Sequence, residues 1–437
     1  MDISVVLPVI NEGGNLGDLL QRLRAILEQH GLSYEFLVVD GGSRDNTREV
    51  AAAQGARILD EDFPGYAGAL LTGFRVAQGD FVLTLDADLS HEPAFVAKMW
   101  QARGLADIVI ASRYVRGGVA YTSFGRRALS RLLNVVFRRM LSVPVRDLSS
   151  GYRLYRREVL EQLRIGGRNF EVLEEILVKA YAAGFSITEV PFTYFPRHRG
   201  VSHARLVRFG LDLAKSSFEL WKLRNSLESA DYDARAFYSM IPPQRYWQRA
   251  RHHIITSWAR SAGLTLDVGC GSSMVIQSLT TAIGMDYNFA KARYLHRLKI
   301  PAVRASAFAL PFGDEAFDCV VSSQVIEHIA REQVLFDEMW RVLRPGGILI
   351  IGTPDYATWQ WRTIEPVYGM LLPWAYRDEH VTHYTRADLS GLLERMGFVH
   401  EETTYIAGAE LIMRYRKPAG VQLAAAHTPI PLAAKQA

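Results

Sequence analysis

The stretch DFVLTLDADLSHEP (residues 80–93) carries an apolar run straight into two aspartates one residue apart, Asp86 and Asp88. The run FVLTL reads as a buried strand. Burying an ionised carboxylate is costly unless something compensates it. Two of them at the end of one strand therefore mark the rim of a sheet where an outside partner completes the arrangement.

The neighbouring sequence supplies that sheet. ISVVLPV (3–9) is a second buried strand, and Leu16, Leu19, Leu20, Leu23, Ile26 and Leu27 after it repeat at helical spacing. EFLVVD (35–40), ARIL (56–59) and DIVIAS (107–112) continue the series, with helices expected through 66–77 and 93–102. Strands alternating with helices give a doubly wound α/β sheet, whose ligands bind beyond the carboxyl ends of the strands. Asp40, Asp86 and Asp88 then share one rim. A second series of the same kind begins near residue 246, with strands at TLDVG (265–269), AIGMD (282–286), DCVVSS (318–323) and GILIIGT (347–353). The expected organisation is an α/β domain over 1–225, a polar linker over 226–245, a second α/β domain over 246–415, and a poorly ordered tail over 416–437.

The net charge is only +4, but it is unevenly spread: residues 111–157 hold eleven arginines, no lysine and a single acid, Asp147. Arginine is the residue suited to bidentate phosphate contact, so a phosphate-bearing partner is expected. Within this block, FGRRALSRLLNVVFRRML (124–141) places Leu129, Leu132, Leu133, Val136, Phe137 and Met140 on one helical face, flanked by Arg126, Arg127, Arg131, Arg138 and Arg139. Such a helix can lie in a membrane interface or pack on the sheet. No uncharged run is long and apolar enough to span a bilayer, so any membrane contact is expected to be peripheral. Two cysteines, Cys270 and Cys319, make no disulfide framework, and a reducing, cytoplasmic compartment is expected.

The paired aspartates make sense beside a divalent cation and a diphosphate. Mg²⁺ or Mn²⁺ takes hard oxygen ligands and is usually held by one or two carboxylates together with the phosphates of a substrate. Four segments, LPVINEGGNL (7–16), VVDGGSRDNT (38–47), LDADLSHEP (85–93) and ASRYVRGG (111–118), occur in the order and spacing of the family 2 glycosyltransferases. DLSSGYRLYRRE (147–158) and EVPFTYFPRHRGVSHAR (189–205) extend the resemblance, which is nearest to the polyprenol (dolichol) phosphate mannosyltransferases with their GT-A-type fold. The resemblance implies that Pro8, Asn11 and Glu12 line a nucleotide pocket and that Asp40 meets the base. It implies that Asp86 and Asp88 handle ribose, metal and diphosphate. Arg113, Arg127 and Arg197 would grip phosphates with Ser202 near them, and Glu175 matches a family acid on a helix, next to Glu174. His203 stands where the family usually has lysine, with Arg205 close by, and Ser90 where some relatives carry an amide.

A lipid monophosphate acceptor is already anionic near neutral pH, with a second pKa of about 6. It needs cationic clamps rather than the general base that a hydroxyl acceptor requires. The expectation is inverting transfer of mannose from GDP-mannose to a polyprenyl (dolichyl) phosphate, with a UDP-sugar and a hydroxyl acceptor as the alternative.

In the second series, LTLDVGCGSS (264–273) is a Gly-rich turn opening a helix, and Asp286 closes the next strand seventeen residues after Gly269. That spacing suits an acid on a ribose diol and by itself also allows a dinucleotide. VRASAFALPFGDEAFDCVVSSQVIEHI (303–329), EMWRVLRPGGILIIGTPD (338–355) and EHVTHYTRADLSGLLERMGF (379–398) resemble the class I S-adenosylmethionine-dependent methyltransferases. The resemblance implies that Asp267, Gly269 and Gly271 hold the methionine part of the donor, Asp286 its ribose, and segment 304–312 the adenine. Ser273 replaces a third glycine and Ser306 an aspartate, so the alternative with a UDP-sugar and a hydroxyl acceptor also carries a degenerate methyltransferase domain. His328, His380 and His383 are candidates near the methyl acceptor, and no Cys/His spacing among them supports zinc. The acceptor is expected to be glycan- or lipid-related. An RNA-binding methyltransferase remains the alternative from another class, but no RNA-binding module signature is present and no nucleic acid is expected.

Overall fold

The computed structural model describes residues 1–167, 169–195, 216–330, 333–371 and 380–419. The chain divides into two compact units, Met1–Ala230 and Asp231–Ala437.

The first unit is built on a seven-stranded sheet. Its strands are β1 (Ile3–Val9), β2 (Tyr34–Asp40), β3 (Arg57–Asp60), β4 (Phe81–Thr84), β5 (Ile108–Ser112), β7 (Arg153–Arg156) and β8 (Ile187–Pro191), in the order β3-β2-β1-β4-β7-β5-β8. A two-stranded ribbon joins β6 (Val119–Ala120) to β9 (Thr193–Tyr194). β7 runs antiparallel to both β4 and β5. The order reverses between β1 and β4, which places a crevice at their carboxyl ends. The register fixes which residues reach it: Val9 pairs with Asp40, and Val6 with Thr84.

Both faces of the sheet are covered, so its strands are apolar throughout rather than alternating. Val5, Leu7 and Val9 pack with Leu16, Leu19, Leu20, Leu23 and Leu27 of the helix Gly13–Gln29. Val6, Leu37 and Val39 pack on the other side with Leu70, Ile176 and Leu177. Each fully buried leucine contributes about 1.5–3 kcal/mol relative to exposure. The expected helix at 93–102 begins as a single 3₁₀ turn, Pro93–Phe95, before the α-helix Val96–Ala102, because Glu92 caps its start and Pro93 supplies no N–H.

The second unit has strands β10 (Thr265–Val268), β11 (Ala282–Asp286), β12 (Ala302–Arg304), β13 (Phe317–Ser323), β14 (Leu343–Pro354), β15 (Val399–Ile406) and β16 (Glu410–Arg416). Their order is β12-β11-β10-β13-β14-β16-β15, with β16 antiparallel to both neighbours. The reversal here lies between β10 and β13, so this sheet has its own crevice beyond Val268 and Ser323. Residues 231–245, read from sequence as part of a linker, hold the helix Tyr232–Phe237 and the start of the helix Pro242–Ala259. Tyr232, Ala234 and Ala236 are buried in the second unit, which their i, i+2, i+4 spacing in a polar segment does not announce. Of the tail expected over 416–437, Arg416 closes β16 and Lys417 is buried, its Nζ donating to Trp340 O (2.9 Å) and Leu343 O (2.7 Å), so the fold runs past the expected boundary; residues from 420 on lie outside the described residues.

Candidate functional site

In the first unit the loops after β1 and β2 are tied together. Asn11 has a left-handed backbone (φ 57°); its N–H donates to Ser43 Oγ (2.8 Å) and its Oδ1 accepts from Arg44 N (2.8 Å). Glu12 N donates to Thr47 Oγ1 (2.9 Å), and Glu12 Oε2 accepts from Asn15 (2.8 Å). Pro8 lies on β1 beside Val39. Asp40 is buried, and burial opposes its charge. Bonds from Ser43 N and Oγ (3.0 and 2.5 Å) and from Arg48 (3.0 Å) outweigh that and hold its carboxyl below the usual range.

Beyond β4 the chain turns through Asp86 and Asp88. Asp86 is partly exposed and accepts a long contact from Tyr66 Oη (3.5 Å), whereas Asp88 is 2% exposed and accepts from Ser90 N (3.0 Å). Between them and Ser90, Leu89 adopts φ 60°. A bulky residue there stores on the order of 1–3 kcal/mol of strain, a feature that clusters at functional turns. The buried Oγ of Ser90 has no hydrogen-bond partner. His91, buried and stacked on Tyr152 (centroids 5.0 Å), accepts from Asp86 N at Nδ1 (3.0 Å). Burial lowers its pKa, so the ring is neutral and pins the turn without charge. An outward carboxylate, an inward one and an orphaned hydroxyl make a donor set that could hold a hard divalent cation.

The arginines behave differently from one another. Arg113 forms a bidentate pair with the fully buried Asp147 (Nε–Oδ2 2.8 Å, Nη2–Oδ1 2.7 Å) and also reaches Ser149 (2.9 Å). Burial opposes the charge of the guanidinium, but Asp147 raises its pKa further. Arg127 is half-buried on the first turn of the helix Phe124–Leu141. Arg197 and Ser202, with His203 and Arg205, lie outside the described residues. Glu175 accepts from Gly166 N (2.9 Å) and Gly167 N (2.6 Å) and pairs with Lys179 (2.6 Å). Its neighbour Glu174 is the acid with a buried, unpartnered oxygen, and burial pushes its carboxyl up to about 7.

In the helix Phe124–Leu141 only Asn134 and Leu141 are buried. Phe137 and Met140 pack against the core at its far end, while Phe124 (78% exposed), Leu132 (60%), Leu129 (53%) and Val136 (48%) stay in solvent.

In the second unit the Gly-rich turn follows β10. Gly269 (φ 68°) and Gly271 (φ 54°) both need the left-handed region, and a Cβ on Gly271 would stand 2.4 Å from Asp233 Oδ2. Asp286 accepts from Gly271 N (2.9 Å) and Asn288 N (2.7 Å); burial nonetheless raises its pKa. Burial, reinforced by Asp286 and Asp233, pushes the carboxyl of Asp267 up to about 8. A cationic ligand would relieve Asp267 and Asp286, which suits a sulfonium donor. Asp233 is the residue that sequence reasoning missed. It accepts from Ser272 N (2.9 Å) and pairs with Lys291 (2.8 Å), so the helix Tyr232–Phe237 braces the turn. Ser273 caps the helix Met274–Ser278, and Ser306 Oγ accepts from Phe308 N (3.3 Å).

Comparison with known proteins agrees with this division. Residues 4–164 match the model of glycosyl transferase family 2, and residues 266–351 match a methyltransferase domain. The polyprenol monophosphomannose synthase of Mycolicibacterium smegmatis is 34% identical over 245 residues, covering 52% of this chain and 89% of that protein. The dolichol-phosphate mannosyltransferase of Pyrococcus furiosus is 36% identical over 213 residues, 46% of this chain; the match spans 59% of the relative's length. Among solved structures, glucosyl-3-phosphoglycerate synthase of Mycobacterium tuberculosis aligns with a TM-score of 0.42 at 23% identity, over 50% of this chain and 78% of that one. With one unit of the chain matched as a methyltransferase domain and the other as a transferase of sugars, the protein belongs to the family 2 glycosyltransferases and carries a methyltransferase domain behind its glycosyltransferase domain.

Proposed function

We propose that the first unit transfers mannose from GDP-mannose to a polyprenyl phosphate, with inversion at the anomeric carbon, and that the second methylates a glycan- or lipid-linked acceptor. The turn holding Asp86 and Asp88 at the carboxyl end of β4 carries this reading, in a chain two of whose relatives are named for mannosyl transfer to dolichol or polyprenol phosphate. Pro8, Asn11, Glu12 and Asp40 form the nucleotide side of the crevice. Asp86 and Asp88 would hold a Mg²⁺ or Mn²⁺ ion, which when bound would supply positive charge to the departing diphosphate. The acceptor phosphate oxygen displaces that diphosphate directly, and Arg113, Arg127 and Arg197 with Ser202 position the anions. Asp147 fixes the orientation of Arg113. Glu175 is assigned to holding the 166–167 backbone beside the site. Asp267, Gly269, Gly271 and Asp286 hold S-adenosyl-L-methionine, which supplies the methyl group.

No helix among the described residues is long and apolar enough to cross a membrane. The exposed leucines of the helix Phe124–Leu141, flanked by arginines, support a peripheral position at the cytoplasmic face, where a polyprenyl phosphate is reached.

Labelled GDP-mannose with a polyprenyl phosphate and Mn²⁺ should yield an organic-soluble labelled product. Asp86→Ala and Asp88→Ala should each lower the rate by roughly 10²–10³-fold, the scale of losing one electrostatic stabiliser. Product formed only from a UDP-sugar and a hydroxyl acceptor, or unaltered rates in both variants, would overturn the proposal.

A further inference from the structure

The second unit also gathers Glu327, His328 and His380 so that one ligand atom from each lies within 4.8 Å of the others, the only such cluster among the described residues. No spacing in the sequence announces it, because two members are adjacent and the third stands fifty-two residues on. The backbone brings them together. Val381 N and Thr382 N both donate to Glu327 O (2.8 and 3.0 Å), and Thr382 Oγ1 donates to Ile329 O (2.6 Å). The segment 380–382 is thereby laid along the single turn Ile326–His328 that follows β13.

We infer that Glu327, His328 and His380 form a binding site for a divalent transition-metal ion. This rests on reading the second unit as a methyl-transfer domain, and its use would be to hold a hydroxyl-bearing methyl acceptor. Three observations carry it. Glu327 is fully buried, its Oε2 accepts from Thr353 Oγ1 (3.2 Å), and its Oε1 has no hydrogen-bond partner. A buried carboxylate oxygen left without a donor is expected to have a partner of another kind. The ring of His380 is oriented as ligating histidines are: Nδ1 meets Tyr356 Oη (2.7 Å), and Tyr356 donates in turn to Glu365 Oε1 (2.8 Å). With Nδ1–H donating along that chain, Nε2 keeps its lone pair for a metal. The cluster also stands beside the donor turn, since a Cβ on Gly269 would meet Val325 at 2.3 Å, two residues before Glu327.

Two imidazoles and one carboxylate suit a borderline divalent ion and leave coordination positions open. Ligand atoms about 2.1 Å from such an ion stand at most about 4.2 Å apart, so a pair at the 4.8 Å limit of this cluster closes by at least about 0.6 Å on binding. An acceptor hydroxyl occupying an open position releases its proton to water more readily. Its oxygen then forms the O–CH₃ bond as the donor's C–S bond breaks, leaving that electron pair on a neutral thioether.

The test uses the full chain carrying Asp86→Ala and Asp88→Ala together, which removes both carboxylates of the first unit's rim, stripped with a chelator and titrated with Co²⁺. Visible d–d bands should grow to one ion per chain, and His328→Ala and His380→Ala should each weaken Co²⁺ binding by at least tenfold. Tyr356→Phe should weaken it by about tenfold while leaving the bands in place, the effect of losing an orienting partner. S-adenosylhomocysteine binding, measured by calorimetry, should persist in all three and reports that the unit is folded. Superimposable Co²⁺ titrations of the parent and both histidine variants would overturn the inference. If either histidine variant loses S-adenosylhomocysteine binding, unchanged Co²⁺ affinity in Tyr356→Phe does so. Failure of the parent to bind S-adenosylhomocysteine would instead remove the methyl-donor reading.

Discussion

Asp147 shows how much of a site can rest on a residue sealed from solvent. It is fully buried and is held by Arg113 through two guanidinium nitrogens and the Arg113 backbone N–H (2.9 Å). Removing one member of such a pair leaves the other desolvated and unmatched, typically at a cost of about 3–5 kcal/mol. Asp147→Asn should therefore lower the urea midpoint of the first unit by an amount corresponding to roughly 3 kcal/mol; an unchanged midpoint would show that the pair contributes little. The sequence pointed to Arg113 through its motif but gave no partner, because the acid lies thirty-four residues on and only the packing of β5 against the 147–149 loop joins them. Glu174 and Glu175 were inseparable for a similar reason: both are on one helix, and what distinguishes them is the 166–167 backbone that Glu175 accepts from. Asp233 was invisible because its polar surroundings read as a connecting segment.

At the scale of elements, strands and turns were legible because their signals are local. Apolar runs ending in Asp40, Asp86 or Asp286 marked strands and their carboxyl ends, and the glycines marked a backbone needing positive φ. Gly271→Ala would put a methyl 2.4 Å from Asp233 Oδ2 at φ 54°. A left-handed alanine costs about 1–2 kcal/mol, and the displaced Asp233 also braces Ser272 and Lys291. S-adenosylhomocysteine affinity should fall at least tenfold by calorimetry while GDP binding is retained; equal affinities would deny the turn its part in the donor site. The helix Phe124–Leu141 was legible as an amphipathic element but not in its placement. Its stripe splits, since Phe137 and Met140 are packed while Leu129, Leu132, Leu133 and Val136 remain exposed. Serine at those four positions should lower co-sedimentation with anionic vesicles by at least tenfold, and added salt should weaken binding of the parent chain through its arginines. Equal sedimentation of the two chains would remove the peripheral role.

At the scale of the whole molecule, each sheet has its own buried core, and the acids trapped in each differ in where they titrate. In the second unit Asp267 rises to about 8, with burial the main cause and Asp286 and Asp233 adding to it, and Glu327 rises to about 8 through burial. In the first unit Glu174 rises to about 7. An acid raised by folding keeps its proton in the native state where the unfolded chain has lost it. The native state then binds more protons, and stability falls as pH climbs from the unfolded value to the folded one. Both units should therefore weaken from about pH 5 towards 7, but only the second continues to weaken between 7 and 8. Buried histidines such as His91 and His252 act oppositely and only below their ordinary value, since their pKa values are lowered by burial. They do not interfere in that last window. Thermal unfolding of chelator-treated, metal-free protein followed by calorimetry, with the second unit's transition identified as the one S-adenosylhomocysteine raises, should show that transition alone dropping between pH 7 and 8. Each fully protonated acid contributes on the order of 1 kcal/mol per pH unit. Asp267→Asn should roughly halve the drop, because asparagine has no proton to release while Glu327 still titrates in this window. A transition that stays level in the parent chain over this interval would mean that the acids around the Gly-rich turn are ionised in the folded protein, and that the site does not hold its charge in reserve for a cationic donor.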